Sequence, residues 1–293
     1  MEHGTEQPAV NTRSFGILCI LFIPLLSLQP QTGVLRDSLF SSSIQSVNVM
    51  TVILPDGYTA SKERYASLYL LHGFNQNHTS WVNSTRLVET AKRYKLIIVC
   101  VDAGNSWYTN SVTQSSLRTE DLIVKEIIPF VDKKYRTISD GRHRAVCGLS
   151  MGAYGAIKYG LKYPGMFLFA AGLSPSIQFP AGLEDSAIVA RRSAASTASV
   201  RSAFGAVRND SWNANDIFFL AKNVSTDSLP YFFLAAGSQD NIPEVITQSH
   251  ELAGIFRQRK IRFEMHESAG GHDWLFWEEQ LGRVLERLTI LLN

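Results

Sequence analysis

Residues 147–156 read C-G-L-S-M-G-A-Y-G-A. A serine stands between glycines, with an apolar run before it and helix-like spacing after it. G-L-S-M-G at 148–152 fits G-x-S-x-G, the pattern of a strand that turns sharply into a helix at the serine. Glycines fall where side chains would collide in such a turn. The turn would expose the Ser150 hydroxyl at the strand's C-terminal edge. The helix N-terminus would bring the Met151 N–H to the same space, where it can stabilise a negative oxygen. A purely structural turn could carry the same pentapeptide, so the rest of the chain has to separate the two readings.

Outward from this stretch, strands and helices alternate. Residues 44–54 alternate well enough for one or two strands, and Pro55-Asp56-Gly57 makes a turn. Ser67–His72 is a buried strand ending at Gly73, and L-I-I-V-C-V-D at 96–102 is another. Helices are expected over 84–94 and over 117–135, the latter with Leu117, Leu122, Ile123, Ile127 and Phe130 on its apolar side and a kink near its end at Pro129. A short strand at 144–148 precedes a helix at 150–162, and M-F-L-F-A-A at 166–171 is a strand. The Ser/Ala-rich stretch from Leu173 to about Val224 holds Pro175 and Pro180 and suits short helices over the strand ends. Strand 230–236, helix 243–259, strand 261–266 and helix 273–291 complete the chain. Continuous apolar strands alternating with helices predict an α/β fold, a mainly parallel sheet covered on both faces and made mixed by its antiparallel start.

A serine hydroxyl is a poor nucleophile unless a histidine takes its proton. Of the seven histidines, His272 lies in A-G-G-H-D-W, just past the last strand and before the last helix. In folds with this elbow the base comes last and occupies such a loop. His143 and His250 carry no catalytic signal, and His266 ends an alternating strand. The acid should fall between nucleophile and base. Asp185, Asp210, Asp216, Asp227 and Asp240 are candidates, and only Asp240, in A-A-G-S-Q-D, follows a buried strand. Asp227 is the fallback, and Asp273 suits the start of the last helix. A second oxyanion donor is expected from the backbone N–H of Phe74, after Leu71-His72-Gly73. His72 itself is expected to order that loop by hydrogen bonding. His72 and His78 lack zinc-ligand spacing, and no phosphate-binding glycine loop is present, so neither metal nor cofactor is expected.

The 293 residues carry a formal charge of +2 with lysines and arginines scattered, which gives no basic patch for nucleic acid. F-G-I-L-C-I-L-F-I-P-L-L-S-L at 15–28 follows a polar start containing Arg13. This is the profile of a secretory signal peptide, and it is short of the about 20 residues a spanning helix needs. Residues 1–33 are therefore expected to be a leader and linker. Residues 34–293 would form one catalytic domain with a cap-like segment at about 173–224, secreted or periplasmic rather than membrane-anchored. Cys100 and Cys147, each near a strand end, are expected to be buried free thiols. Sequons at Asn77, Asn83 and Asn223 matter only in a host that glycosylates.

With these motifs in order, the chain resembles the esterase D-type esterases of the α/β-hydrolases. That group includes S-formylglutathione hydrolases, tributyrin, feruloyl and acetyl-xylan esterases, and mycolyltransferases. The resemblance spans residues 44–291. Its markers are Y-L-L-H-G-F-N-Q-N-H-T-S-W at 69–81, D-A-G-N-S-W-Y-T-N at 102–110, G-L-S-M-G-A-Y-G-A at 148–156, G-S-Q-D at 237–240 and G-G-H-D-W at 270–274. It implies Ser150 as nucleophile, Asp240 as acid, His272 as base, and Phe74 and Met151 as oxyanion donors. Trp107 and Tyr108 match a loop beside the acyl site. Phe74-Asn75-Gln76 departs from the glycine-rich form of relatives, and a changed acyl pocket is expected there.

The function expected is a serine carboxylesterase acting on short-chain acyl or aryl esters, small or glycan-linked, without a cofactor and without nucleic-acid or stable membrane partners. An acyltransferase of the mycolyltransferase type and a feruloyl or acetyl-xylan esterase share the same triad. A non-catalytic module on the same fold is opposed by the intact serine, acid and base. Trp107, Tyr108 and Phe179 are the pocket candidates, with Phe204 and Trp212 as further aromatics able to line the site or pack the cap.

Overall fold

The computed structural model describes residues 1–4 and 33–293, so the apolar run at 15–28 lies outside the described residues. Eight strands form one sheet in the order β1-β2-β4-β3-β5-β6-β7-β8. These are β1 Val34–Ser41, β2 Ser46–Ile53, β3 Ala66–Leu71, β4 Leu96–Val101, β5 Arg144–Leu149, β6 Phe169–Leu173, β7 Tyr231–Gly237 and β8 Phe263–Ser268. β1, β2 and β4 pair antiparallel, and every pairing from β4 to β8 is parallel. This is the mixed, mainly parallel α/β sheet expected from the alternating pattern, in the α/β-hydrolase architecture that the resemblance implies.

The sheet divides the core into two layers. On β5, Val146 faces one layer while Ala145, Cys147 and Leu149 face the other. On β4, Ile97, Val99 and Val101 oppose Leu96, Ile98 and Cys100 in the same way. Strands buried on both faces need apolar residues at every position, which explains their uninterrupted runs. Helices Met151–Lys162 and Pro243–Gln258 cover one face, and helix Trp274–Leu292 with Trp81 and Leu87 covers the other. Both cysteines are buried and free, and burial pushes the Cys100 thiol up to about 12.

Local differences from expectation have physical causes. β1 was not foreseen: it is an edge strand with four of its first five residues exposed, so it lacks the apolar signature of its neighbours. The helix expected at 84–94 is two short helices, Ser80–Ser84 and Leu87–Ala91. Thr85 separates them in extended conformation, and its hydroxyl accepts the Leu87 N–H at 3.1 Å. In the helical stretch 119–134 the backbone widens into a π-helical segment, Leu122–Ile127. That segment lies just ahead of Pro129, which has no N–H to close an ordinary turn. The distortion thus precedes Pro129 instead of ending the helix. β6 starts at Phe169, three residues later than expected, because Met166, Phe167 and Leu168 still belong to the turn that enters it.

Between β6 and β7 the chain forms short helices Ser186–Ala190, Ala194–Phe204 and Ile217–Asn223, preceded by a 3-10 turn at Ala181–Glu184. Asp185, Ser193 and Asp216 cap these helices by accepting first-turn N–H groups. Two of the aspartates weighed as triad acids are therefore helix caps. Among the described residues, no helix is long and apolar enough to cross a membrane.

Candidate active site

Ser150 sits between β5 and helix Met151–Lys162 with φ 53° and ψ −115°. A left-handed backbone is costly for a residue with a side chain and persists only where the surroundings impose it. The two glycines show what imposes it. A Cβ on Gly148 would lie 2.2 Å from the Gly152 carbonyl oxygen, and a Cβ on Gly152 would lie 2.3 Å from the Leu71 carbonyl oxygen. Only glycines let strand, turn and β3 approach this closely. The Ser150 N–H donates to Leu173 O at 2.9 Å, which ties the turn to the end of β6.

Three parallel strands then deliver three side chains to one place. The Ser150 hydroxyl donates to His272 Nε2 at 2.9 Å. His272 Nδ1–H donates to Asp240 Oδ2 at 2.8 Å. The Asp240 carboxylate is fully buried, while the His272 ring is 15% exposed. The other Asp240 oxygen accepts the Ile242 N–H at 2.9 Å, which holds the carboxylate plane. His272 follows Gly270, whose φ of 144° takes the chain out of β8, and its ring packs edge-on against Trp277 at 5.2 Å. An imidazole held this way keeps one nitrogen protonated toward the carboxylate and presents the other to the hydroxyl.

Phe74 and Met151 both line the cavity into which the Ser150 hydroxyl opens. The loop carrying Phe74 is held from several sides. Gln76 Oε1 accepts the Gly73 N–H at 2.8 Å, and Asn105 Oδ1 accepts the Asn75 N–H at 2.7 Å. The departures from a glycine-rich loop noted in the sequence are therefore loop fasteners: Asn75, at φ 59°, accepts from Asn105 Nδ2 at 2.9 Å and Gln76 bonds the Gly73 backbone, while Phe74 and Gln76 face the cavity. His72 orders the same loop. Its Nε2 accepts the Ala103 N–H at 3.1 Å, so Nδ1 carries the proton and donates to Gly73 O at 2.7 Å. Burial holds its pKa below the usual histidine range, in keeping with a neutral ring.

The cavity has a volume of about 320 Å³. Of the three aromatic pocket candidates, Trp107 lines it, while Tyr108 and Phe179 do not. Both are wholly buried behind the wall. Phe179 packs edge-on against Trp107 at 5.3 Å. Tyr108 is a strut: its hydroxyl donates to His72 O at 2.8 Å, and its carbonyl accepts from Lys158 Nζ and Tyr159 Oη, each at 2.7 Å. Phe204 and Trp212 are likewise buried, outside the cavity wall. The sequence reading missed several wall residues, notably Ser176, Gln178, Arg191, Arg192 and Glu244. One signal was available: Arg191-Arg192 is a basic doublet in an otherwise Ser/Ala-rich tract.

The remaining histidines and acids are elsewhere engaged. His143 pairs with Asp140, His250 with Glu267, and His266 stacks on Phe233. Asp227 is exposed and bonded to Ser225, and Asp273 caps the last helix through the Phe276 N–H. Among the described residues, no group of three or more metal-ligating side chains is assembled.

The "Putative esterase" family model matches residues 41–288. The chain belongs to this esterase family. It is a serine-hydrolase-type esterase with the α/β-hydrolase fold. The acetyl esterase of Caldicellulosiruptor saccharolyticus is 26% identical over 88% of this chain and 98% of its own length. A ferulic acid esterase structure is 26% identical, with a TM-score of 0.69 over 89% of this chain and 99% of its own. The fluorophosphonate-binding serine hydrolase F of Staphylococcus aureus shares the fold, with a TM-score of 0.75 at 20% identity over 89% of this chain and 99% of its own.

Proposed function

We propose that this esterase hydrolyses short-chain acyl or aryl esters by acyl transfer through Ser150. The observation that carries the reading is the unbroken hydrogen-bond chain from buried Asp240 through His272 to Ser150, opening on a cavity. His272 takes the Ser150 proton as the hydroxyl oxygen attacks the ester carbonyl. The carbonyl oxygen becomes an oxyanion facing the N–H groups of Met151 and Phe74. His272 then gives the proton to the leaving alcohol, and the acyl group stays on Ser150. Water, deprotonated by His272, attacks that acyl-enzyme, and His272 returns the proton to the Ser150 oxygen as the acid leaves. Asp240 keeps the imidazole oriented and stabilises its cation.

A cavity of about 320 Å³ suits a small acyl group or a single aryl ring rather than a long chain. The acetyl esterase and ferulic acid esterase among the relatives support substrates of that size. Residues 34–293 act as one catalytic domain, with 173–224 as its cap, and the apolar run at 15–28 directs export. N-terminal sequencing of the mature protein tests the last point: an intact Met1 would sink it.

The test of the activity is hydrolysis of p-nitrophenyl esters of increasing chain length, with methyl ferulate and acetylated xylan, beside Ser150→Ala. Turnover should be greatest on the short esters and fall by about ten-thousandfold or more in the variant. A variant as active as the parent would overturn the mechanism. If glycerol or trehalose captured the acyl group better than water, the protein would be a transferase.

A further inference from the structure

The cavity wall contains two arginines and one glutamate, which leaves one positive charge uncompensated beside the reacting serine. Arg191 is not the source of that excess, because it pairs with Glu244 across the cavity rim. The unpaired cation is Arg192. Its Nε and Nη2 donate to the Ser196 hydroxyl, and among the described residues no carboxylate pairs with it. Its Nη1 donors take no protein acceptor among those residues.

The setting makes an unpaired guanidinium conspicuous. The group lies 4.6 Å from the centre of the Phe179 ring and 5.5 Å from that of Trp107. Burial against these rings brings its pKa down to about 10. Elsewhere buried cations are matched: Arg144 bonds Asp132 at 2.7 Å, and Lys158 bonds Glu120 at 2.9 Å. A partly buried cation without an anion is favoured by a ligand that supplies the counter-charge. Arginine held against aromatic rings, with N–H groups spare, is preorganised for a carboxylate.

We propose that Arg192 anchors a carboxylate carried by the substrate ester, so that the pocket selects anionic short esters over neutral ones of the same shape. This deepens the esterase reading above and rests on it. The carboxylate can belong to the acyl group, as in a half-ester of a short dicarboxylic acid, or to the alcohol, as in an acylated hydroxybenzoate. The shared chemistry is one carboxylate held in the same cavity as the scissile carbonyl.

Two matched pairs distinguish these sources: mono(p-nitrophenyl) glutarate against p-nitrophenyl valerate, and 4-acetoxybenzoate against 4-acetoxybenzamide. The readout is the ratio of kcat/KM, anionic over neutral. In at least one pair the ratio should exceed about tenfold, as a charge-assisted contact implies. That ratio should collapse in Arg192→Gln and partly return in Arg192→Lys. Should either variant fold poorly, the parent enzyme still decides, since glutarate should inhibit hydrolysis of the neutral ester more strongly than glutaramide does. The proposal is overturned if neither pair favours the anion, or if the ratio keeps its full size in Arg192→Gln. Ser150-dependent turnover of neutral esters with no anion preference removes this inference alone. Ester hydrolysis that is undiminished in Ser150→Ala, or absent from the parent, removes the esterase reading and this inference with it.

Discussion

The reacting centre and the helical segment between β6 and β7 are built on opposite plans. Ser150, Asp240 and His272 each stand one to four residues beyond a parallel strand, and the register of the sheet brings them together. The segment after β6, residues 174–224, has no sheet register to place it. It is fastened by side chains instead. Asn215 is the chief fastener: its carbonyl accepts from Tyr154 Oη at 2.6 Å, and its Oδ1 accepts from Thr109 Oγ1 at 2.7 Å and Lys158 Nζ at 3.3 Å. Lys158 also holds Tyr108 and so the loop that carries Trp107. Chemistry thus rests on backbone geometry, while pocket shape rests on a buried polar network. Damage to the first should abolish turnover in a folded protein, and damage to the second should loosen the protein.

The largest effect expected is on the first side. Asp240→Asn should lower kcat by about ten-thousandfold, because the amide no longer holds the imidazole in the required tautomer. Its urea midpoint should stay near the parent's. A variant of nearly full activity would show that the carboxylate contact is idle.

Lys158→Met should cost about 3–5 kcal/mol of stability, since it removes the fully buried cation and leaves the buried Glu120 with only the partly exposed Lys162. Equilibrium urea unfolding measures this, and a loss under 1 kcal/mol would break the contrast between the two regions. The same network sets an acid limit. Burial pushes the Glu120 carboxyl upward, but Lys158 and Lys162 outweigh it and bring it down from 4.5 to about 2. A carboxyl that is more acidic folded than unfolded stabilises the fold fully above the unfolded value. That contribution should therefore be complete above pH 4.5 and disappear as pH falls toward 2, and a Glu120→Gln variant should lack it. Equal acid slopes for parent and variant would contradict the assignment.

The smallest effect belongs to the rim. The Arg191–Glu244 pair is half-exposed on its arginine side, so Glu244→Gln should change stability by less than about 1 kcal/mol. A larger loss in thermal unfolding would mean that the rim, too, fastens this segment.

The same division decides what was legible in the sequence. The elbow and the G-S-Q-D turn follow apolar strands and the G-G-H-D loop follows an alternating one, so local motif and chain order sufficed to bring Ser150, Asp240 and His272 together. β1 escaped notice because an exposed edge strand has little apolar pattern. Trp107 and Tyr108 are adjacent, both at positive φ, yet only the first faces the cavity. No periodicity in a loop separates them. What separates them is the buried Lys158, which captures the Tyr108 carbonyl from another element. Arg192 was hidden for a related reason, since one of its rings, Trp107, comes from a distant part of the chain.

The most direct test of the central claim is covalent labelling with a fluorophosphonate, read by peptide mass spectrometry. A single adduct on Ser150 is expected, formed slowly in His272→Ala and absent from Ser150→Ala, with loss of esterase activity in step with labelling. An adduct on another residue, or full activity in protein labelled at Ser150, would contradict the account.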